Sequence, residues 1–158
     1  MIFLATWLIA VIAGIVHVSV RRLWGQARQR DAVLLLYQLG ISFGLTGLID
    51  FVGHVLQPVE TAARIGWAAS PHFQYELGTL ELGVAVAAFL GLFVRNKHYW
   101  LGVVLAPCIF LALAGLNHLR EALGGNLAPY NVGTIAPDIL IPATMAWLLF
   151  RIFRQSPS

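Results

Sequence analysis

Residues 32–57 read AVLLLYQLGISFGLTGLIDFVGHVLQ, an apolar run that contains one carboxylate, Asp50, and one imidazole, His54. A helix needs about twenty mainly apolar residues to cross the hydrocarbon core of a bilayer. This run is long enough, so it predicts a membrane-spanning helix. Ionisable groups inside such a span are costly, and they usually face a bundle interior or a wet cavity. The same run therefore indicates where a functional site is expected.

The composition argues against a soluble protein. Hydrophobic residues make up 59% of the 158 residues and charged residues 11%, with a mean hydropathy of +0.79. A soluble domain carries about 25% charged residues. We therefore expect residues 1–158 to form one integral membrane domain in contact with the lipid bilayer. The single cysteine, Cys108, rules out an intrachain disulfide and a zinc site built on cysteines.

Five apolar runs predict an all-α, polytopic transmembrane helical bundle with five spans. The predicted spans are about 1–20, 32–57, 71–94, 99–119 and 137–153. Ser70–Pro71 has the pattern of an N-cap followed by proline at the first helical position, and Gly124–Gly125 is a helix stop. Pro137 is the predicted start of the fifth helix. Two longer loops, residues 58–70 and 120–136, are left on one side of the membrane.

The basic residues predict the orientation of the bundle. Eight of the ten lie between spans one and two, between spans three and four, or after span five: Arg21, Arg22, Arg28, Arg30, Arg95, Lys97, Arg151 and Arg154. Only Arg64 and Arg120 lie in the alternate loops. Because cytoplasmic loops carry the excess of Lys and Arg, the N-terminus is predicted outside and the C-terminus in the cytoplasm. This pattern explains the net charge of +3 without a nucleic-acid partner.

Polar groups then gather at the outer ends of four helices. The candidate binding residues are Asp50, His54, Glu76, Glu81, Asn117, His118 and Asp138. At 1.5 Å per residue, they are expected between the interface and roughly 10–15 Å inside it. Glu76 and Glu81 are separated by about 140° around a helix, so both cannot face Asp50 equally.

Helix-end electrostatics offer an alternative explanation for part of this cluster. Acids near helix N-termini and histidines near C-termini are favoured by the helix macrodipole. The residues that this effect would explain are Glu76, Asp138, His54 and His118. It does not explain Asp50, which lies near a helix C-terminus, or Glu81, which lies about three turns inside a span. Glu60 and Glu121 are interpreted as solvated loop charges.

Carboxylate and imidazole groups can bind a divalent metal or relay protons. The candidate metal ligands are Asp50, His54, Glu76 and His118. Neither His-x-x-x-His nor Glu-x-x-His occurs at helical spacing, so the sequence requires no cofactor, although a divalent metal is a candidate. His72, in the first turn of the third span, is a candidate both for helix capping and for the site.

Small residues on the second span predict a close helix contact. Gly40 and Gly44 form a GxxxG pair, and Gly47 lies close to the same face. Such pairs allow two helices to approach at backbone distance. The contact is expected within the chain or, as the alternative, in a homo-oligomer through the Gly40/Gly44 face.

Two motifs resemble those of a family of small bacterial integral membrane proteins that is classified only as a domain of unknown function. The first runs from Gly53-His54 through IGW at 65–67 and SP at 70–71 to FQYE at 73–76, and the second is NLAPYN at 126–131. The resemblance implies a multi-pass protein of the bacterial inner membrane. It marks as signature residues His54, Trp67, Glu76, Asn126, Asn131 and Asp138. The candidate loop positions are Trp67, His72, Gln74, Asn126 and Asn131, with His72 inserted where the family commonly runs Ser-Pro-Phe-Gln.

The sequence leaves three functions open. The first is binding or conduction of a proton, a metal cation or a small cationic solute at an outward-facing site of acids and histidines. The second is a membrane-embedded acid–base enzyme that acts on a lipid or another hydrophobic molecule. The third is an accessory subunit whose polar loops dock to a larger membrane complex.

Overall fold

Six helices account for nearly all of residues 2–155, the part of the chain that the computed structural model describes. They are α1 (Ile2–Val20), α2 (Ala27–Leu56), α3 (Pro58–Ile65), α4 (Pro71–Phe93), α5 (Lys97–Leu123) and α6 (Pro129–Arg154). All except α3 are long and apolar enough to cross a membrane. Helix α6 packs along α5, and α4 packs along the second half of α2. The five apolar runs of the sequence therefore correspond to five long helices.

The start of α6 differs from the predicted start at Pro137. The helix begins at Pro129, about two turns earlier, and Pro137 and Pro142 are buried inside it. Proline suits the first helical position because its missing N–H would have no partner there. Asp138 therefore lies about two and a half turns inside α6 at 3.6 residues per turn. Helix-end electrostatics, the alternative explanation for this residue, do not apply at that depth.

Both predicted loops are shorter than expected. The run 58–70 begins with the amphipathic helix α3, which ends at Gly66 in a left-handed conformation with φ of 81°. The Thr61 hydroxyl donates a hydrogen bond to the Gly53 carbonyl at 2.8 Å and holds α3 against α2. In the run 120–136, α5 continues to Leu123, so only residues 124–128 connect it to α6.

Helix α2 contains a π-helical segment, Gln38–Leu45, between two α-helical halves. At its end the Thr46 backbone N–H donates to the Ile41 carbonyl, five residues back. Gly40 and Gly44 lie in this segment and face Leu92 and Phe89 of α4, respectively. The GxxxG pair thus serves a contact within the chain, and a homo-oligomer through this face stays a prediction.

Apolar side chains lie both inside and outside the bundle. A buried cluster fills the space between α2, α4, α5 and α6, and Leu35, Leu39 and Met145 are fully enclosed in it. All five long helices also carry exposed large apolar residues, of which Phe93 and Leu123 are more than 80% exposed. Exposed apolar residues on every long helix are typical of contact with lipid or with another protein.

Asp31 lies at the basic end of the bundle, where α1 ends, α2 begins and α6 ends. Its carboxylate is 1% exposed and accepts hydrogen bonds from Arg30, Arg151 and Gln155, each at 2.8 Å. These bonds connect α2 to the end of α6. Asp31 is not among the residues predicted from the sequence to be functional, and in the structure it is a buried charge compensated by three donors.

Replacing Gly115 of α5 by alanine is expected to destabilise the bundle. The added Cβ would lie 2.9 Å from Cβ of Asp138 and 3.2 Å from Cδ1 of Ile139, so α5 and α6 would have to separate. Overpacking of this kind lowers the free energy of unfolding by about 1–3 kcal/mol. Thermal unfolding of the purified protein in detergent measures the loss.

Gly102→Ala is the matched control on the same helix, because no atom lies within 4 Å of its added Cβ. Alanine is a better helix former than glycine by about 1 kcal/mol. This variant is therefore expected to be at least as stable as the unmodified protein. Equal stability of the two variants would contradict the close contact of α5 with α6 at Gly115.

Candidate functional site

All six helices contribute to one cavity of about 500 Å³, near the end of the bundle where α2 ends and α4 begins. Most of its wall is apolar, with side chains such as Phe43 and Phe110. Three carboxyl groups also lie in the wall: Asp50 from α2, Glu81 from α4 and Asp138 from α6. We call this space, defined by these three acids, the acidic cavity.

The three acids of the cavity share an unusual environment. Asp138 is only 7% exposed, and Asp50 and Glu81 are half-buried. Because all three line one cavity, ionised carboxylates there would repel one another. Within residues 2–155 no side chain or backbone group makes a hydrogen bond to any of the three, yet their oxygen atoms are not sealed from the cavity. A cation or a hydrogen-bond donor in the cavity would therefore meet acceptors that the protein leaves unused.

His118 of α5 is held beside Asp138 in a defined orientation. The Asn131 amide nitrogen donates to the backbone carbonyls of His118, at 3.2 Å, and of Asn126, at 2.8 Å. The amide oxygen of Asn131 therefore points at Nδ1 of His118, 2.7 Å away, and Nδ1 must carry the proton. In the neutral ring Nε2 is then a free base, and it lies 4.0 Å from the Asp138 carboxylate.

His54 of α2 is positioned in a similar way by Gln74 of α4. Gln74 is 1% exposed, and its amide oxygen accepts a hydrogen bond from Nδ1 of His54. Both histidines in the cavity wall are thus held at Nδ1 by a side-chain amide. Gln74 and Asn131 act as positioning residues, which leaves Nε2 of each ring for other contacts.

Trp67 covers His118 from the loop that follows α3. The two rings stack with a centroid distance of 5.7 Å and an interplanar angle of 10°. The indole N–H of Trp67 donates to Glu121 at 2.7 Å, and the amides of Asn117 and Asn126 donate to the same carboxylate at 3.1 and 3.0 Å. The prediction that Glu121 lies in a loop was therefore wrong, because it belongs to α5 and its carboxylate accepts three hydrogen bonds from the chain. This carboxylate fixes the tryptophan over the histidine.

Asn126 joins the two connections that close this end of the bundle. Its amide nitrogen donates to the Ile65 carbonyl at 3.0 Å, and its amide oxygen accepts from the Ala128 N–H at 3.2 Å. The close packing of this amide against Gly66 leaves no room for a side chain there. Asn126 thus secures the end of α3, and with it Trp67, against the α5–α6 connection.

The cavity wall includes six of the seven candidate binding residues and one of the loop candidates. They are Asp50, His54, Glu81, Asn117, His118, Asp138 and Trp67. Glu76 and His72 are exposed and do not line it. Sequence analysis missed Arg64, Thr61 and Tyr130 as wall residues. Of these, Arg64 could have been singled out, because it is one of only two basic residues in the two predicted outer loops.

The structure does not assemble the predicted metal ligands. In the described part of the chain, no group of three or more His, Cys, Asp and Glu side chains is arranged to hold a metal ion. Glu76 is the clearest departure, because it lies on the exposed face of α4 while Glu81 lines the cavity. The combination of Asp50, His54, Glu76 and His118 as a metal site is therefore not supported.

Comparison with protein families gives a match over the full length of the chain. A family model described as "Family of unknown function (DUF6790)" matches residues 1–158. No curated protein matches the chain. No solved structure matches it either.

In its neutral form, the His118 ring is expected to carry its proton on Nδ1, because Nδ1 faces the amide oxygen of Asn131. Nitrogen-15 NMR of histidine-labelled protein in nanodiscs distinguishes the two tautomers, and the His118→Gln variant assigns the signal. Asn131→Ala removes the acceptor and is expected to release the Nδ1–H preference.

Asn117→Ala is the matched control, since Asn117 bonds to Glu121 and not to the imidazole. It is expected to leave the tautomer of His118 unchanged. A dominant Nε2–H tautomer in the unmodified protein would contradict the assignment.

Proposed function

Because the chain belongs to DUF6790, a family of unknown function, we propose its function from the acidic cavity. The protein is an integral membrane protein of the bacterial inner membrane, and it binds a small organic cation that has an apolar body. The amino terminus and the cavity face outward in this arrangement, as the distribution of basic residues predicts.

This proposal rests on three carboxyl groups that make no hydrogen bond to the described residues. Asp50, Glu81 and Asp138 lie in an apolar wall without a hydrogen bond from the described residues. A desolvated carboxylate gains most from a cation, because its attraction is screened least in surroundings of low dielectric constant. Among the described residues of the wall, Arg64 is the only Lys or Arg, so the acidic side chains there outnumber the basic ones.

The size and the walls of the cavity favour an organic cation over a bare metal ion. Sites for small organic molecules usually enclose about 300–1,000 Å³ and combine mainly apolar walls with a few polar groups. The acidic cavity, at about 500 Å³, has this character. A metal ion would use the carboxylates but leave the surrounding aromatic and aliphatic wall without a role.

A series of ligands with one apolar body tests the proposal. Phenylbutylamine, phenylbutanol and phenylbutyrate carry a cationic, a neutral and an anionic head group, respectively. We expect the amine to bind most tightly and the carboxylate least, measured by titration calorimetry on the protein in nanodiscs. Asp138→Asn or Glu81→Gln should weaken binding of the amine about tenfold or more, since a hydrogen bond to a charged group contributes roughly 1.5–3 kcal/mol.

Glu76→Gln is the matched control. Glu76 lies in the same half of α4 as Glu81, but it is exposed and does not line the cavity. It should bind the amine as the unmodified protein does. Equal binding of amine and carboxylate would refute the proposal, and so would an equal loss in Glu76→Gln.

The orientation of His118 favours a second candidate function, acid–base catalysis on a hydrophobic molecule. Its Nε2 is unprotonated in the neutral ring and could accept a proton from a molecule in the cavity, while Asp138, 4.0 Å away, would stabilise the imidazolium that forms. The stacked Trp67 restricts the ring and covers it.

Deuterium exchange tests this second function. Benzylacetone, a ketone with a similar apolar body, is incubated in D₂O with the protein in nanodiscs, and deuterium uptake beside its carbonyl group is measured by mass spectrometry. His118→Gln should slow uptake by about a hundredfold or more if the imidazole is the base. His72→Gln, which changes an exposed histidine outside the cavity, should have no effect. Uptake no faster than with empty nanodiscs would rule out this activity for the ketone.

A further inference from the structure

A second groove, of about 670 Å³, lies at the basic end of the bundle, opposite to the acidic cavity. Four of its wall residues can carry positive charge: Arg28 near the start of α2, Arg95 in the α4–α5 turn, and Lys97 and His98 at the start of α5. We call it the basic groove. No acidic residue is among its wall residues in the described part of the chain.

Asp31, the acidic residue closest in sequence to Arg28, does not neutralise the positive charge of this groove. Asp31 lies one turn after Arg28, but its carboxylate is already bonded to Arg30, Arg151 and Gln155. None of the four basic side chains of the groove is bonded to this carboxylate, so their charges can act on a ligand. Their combined charge favours an anion that can accept several hydrogen bonds at once.

The basic groove also borders apolar surface. Trp100 and Ile152 form part of its wall, and Phe93 and Val94, directly before Arg95, are exposed. Phe153 contacts two of the basic residues, with Nζ of Lys97 5.0 Å and the His98 ring 5.4 Å from its ring centroid. These contacts hold the positive groups at the boundary between the groove and the apolar outer face of the helices.

We propose that the basic groove binds the phosphate head group of an anionic phospholipid. The positive residues would hold the phosphate, while the acyl chains would extend along the exposed apolar residues beside it. A free phosphate ion would use only the charged half of this arrangement. The predicted orientation places the groove at the cytoplasmic leaflet, where anionic lipids are concentrated and attract basic segments.

Native mass spectrometry of the detergent-purified protein tests the proposal. Dioleoyl phosphatidylglycerol and dioleoyl phosphatidylcholine are titrated separately, and sodium phosphate is added as a competitor. We expect phosphatidylglycerol to bind at least tenfold more tightly than phosphatidylcholine and to remain bound at an equal concentration of phosphate. Each basic residue near an anionic head group raises the affinity roughly fivefold. The double variant Arg28→Gln/Arg95→Gln should therefore weaken phosphatidylglycerol binding about 25-fold.

Arg21→Gln is the matched control, because it removes the same charge at the same end of the bundle but outside the groove. It should leave phosphatidylglycerol binding unchanged, because Arg21 does not line the groove. The single variants Arg28→Gln and Arg95→Gln change exposed residues and keep the test valid if the double variant misfolds. Equal binding of the two lipids, displacement of phosphatidylglycerol by phosphate, or an equal loss in Arg21→Gln and the groove variants would overturn the proposal.

Discussion

A polar side chain buried among apolar helices needs a hydrogen-bond partner, and the packing of this bundle depends on where the chain supplies one. Hydrocarbon offers no hydrogen bonds, so an unsatisfied group costs several kcal/mol. Asp31 is satisfied by three side chains, and the Thr46 hydroxyl reaches the Thr6 hydroxyl at 2.9 Å. The Asn131 amide satisfies both His118 Nδ1 and two backbone carbonyls. These bonds join α2 to α6, α2 to α1, and α5 to α6, so they fix the helices around the acidic cavity.

Glycines then decide how closely those helices approach. A Cβ on Gly47 of α2 would lie 2.9 Å from the Glu81 carbonyl oxygen, and one on Gly115 of α5 would lie 2.9 Å from Cβ of Asp138. A Cβ on Gly78 of α4 would meet the side chain of His54 at 2.9 Å. Each of these contacts involves a residue of the cavity wall. The small residues thus set the positions of the functional groups, beyond their general role in helix packing.

Composition and the length of the apolar runs were sufficient to predict five long helices, but not where each begins. Proline fits the first position of a helix and is also tolerated, at a cost in stability, in its interior. Pro137 was therefore a plausible start for α6, but the helix begins at Pro129 and contains Pro137. The π-helical segment Gln38–Leu45 has no signature in the sequence. Most candidate site residues could be found because charge is rare in apolar spans. Asp31 could not, since an acid within a basic run resembles a solvated charge and its partner Arg151 is distant in the chain.

The two ends of the bundle treat buried carboxyl groups in opposite ways. At the basic end, the Asp31 carboxylate is surrounded by fixed donors, and a ligand could add nothing to a site that is already satisfied. In the acidic cavity, the available donors are directed elsewhere: the Asn131 amide is used by His118, and the Trp67 indole by Glu121. The hydrogen bonds at this end therefore orient the groups around the three acids and do not engage the acids themselves. A fold that needed these carboxyl groups only for stability would bond them as it bonds Asp31, which is why their unused acceptors favour a ligand.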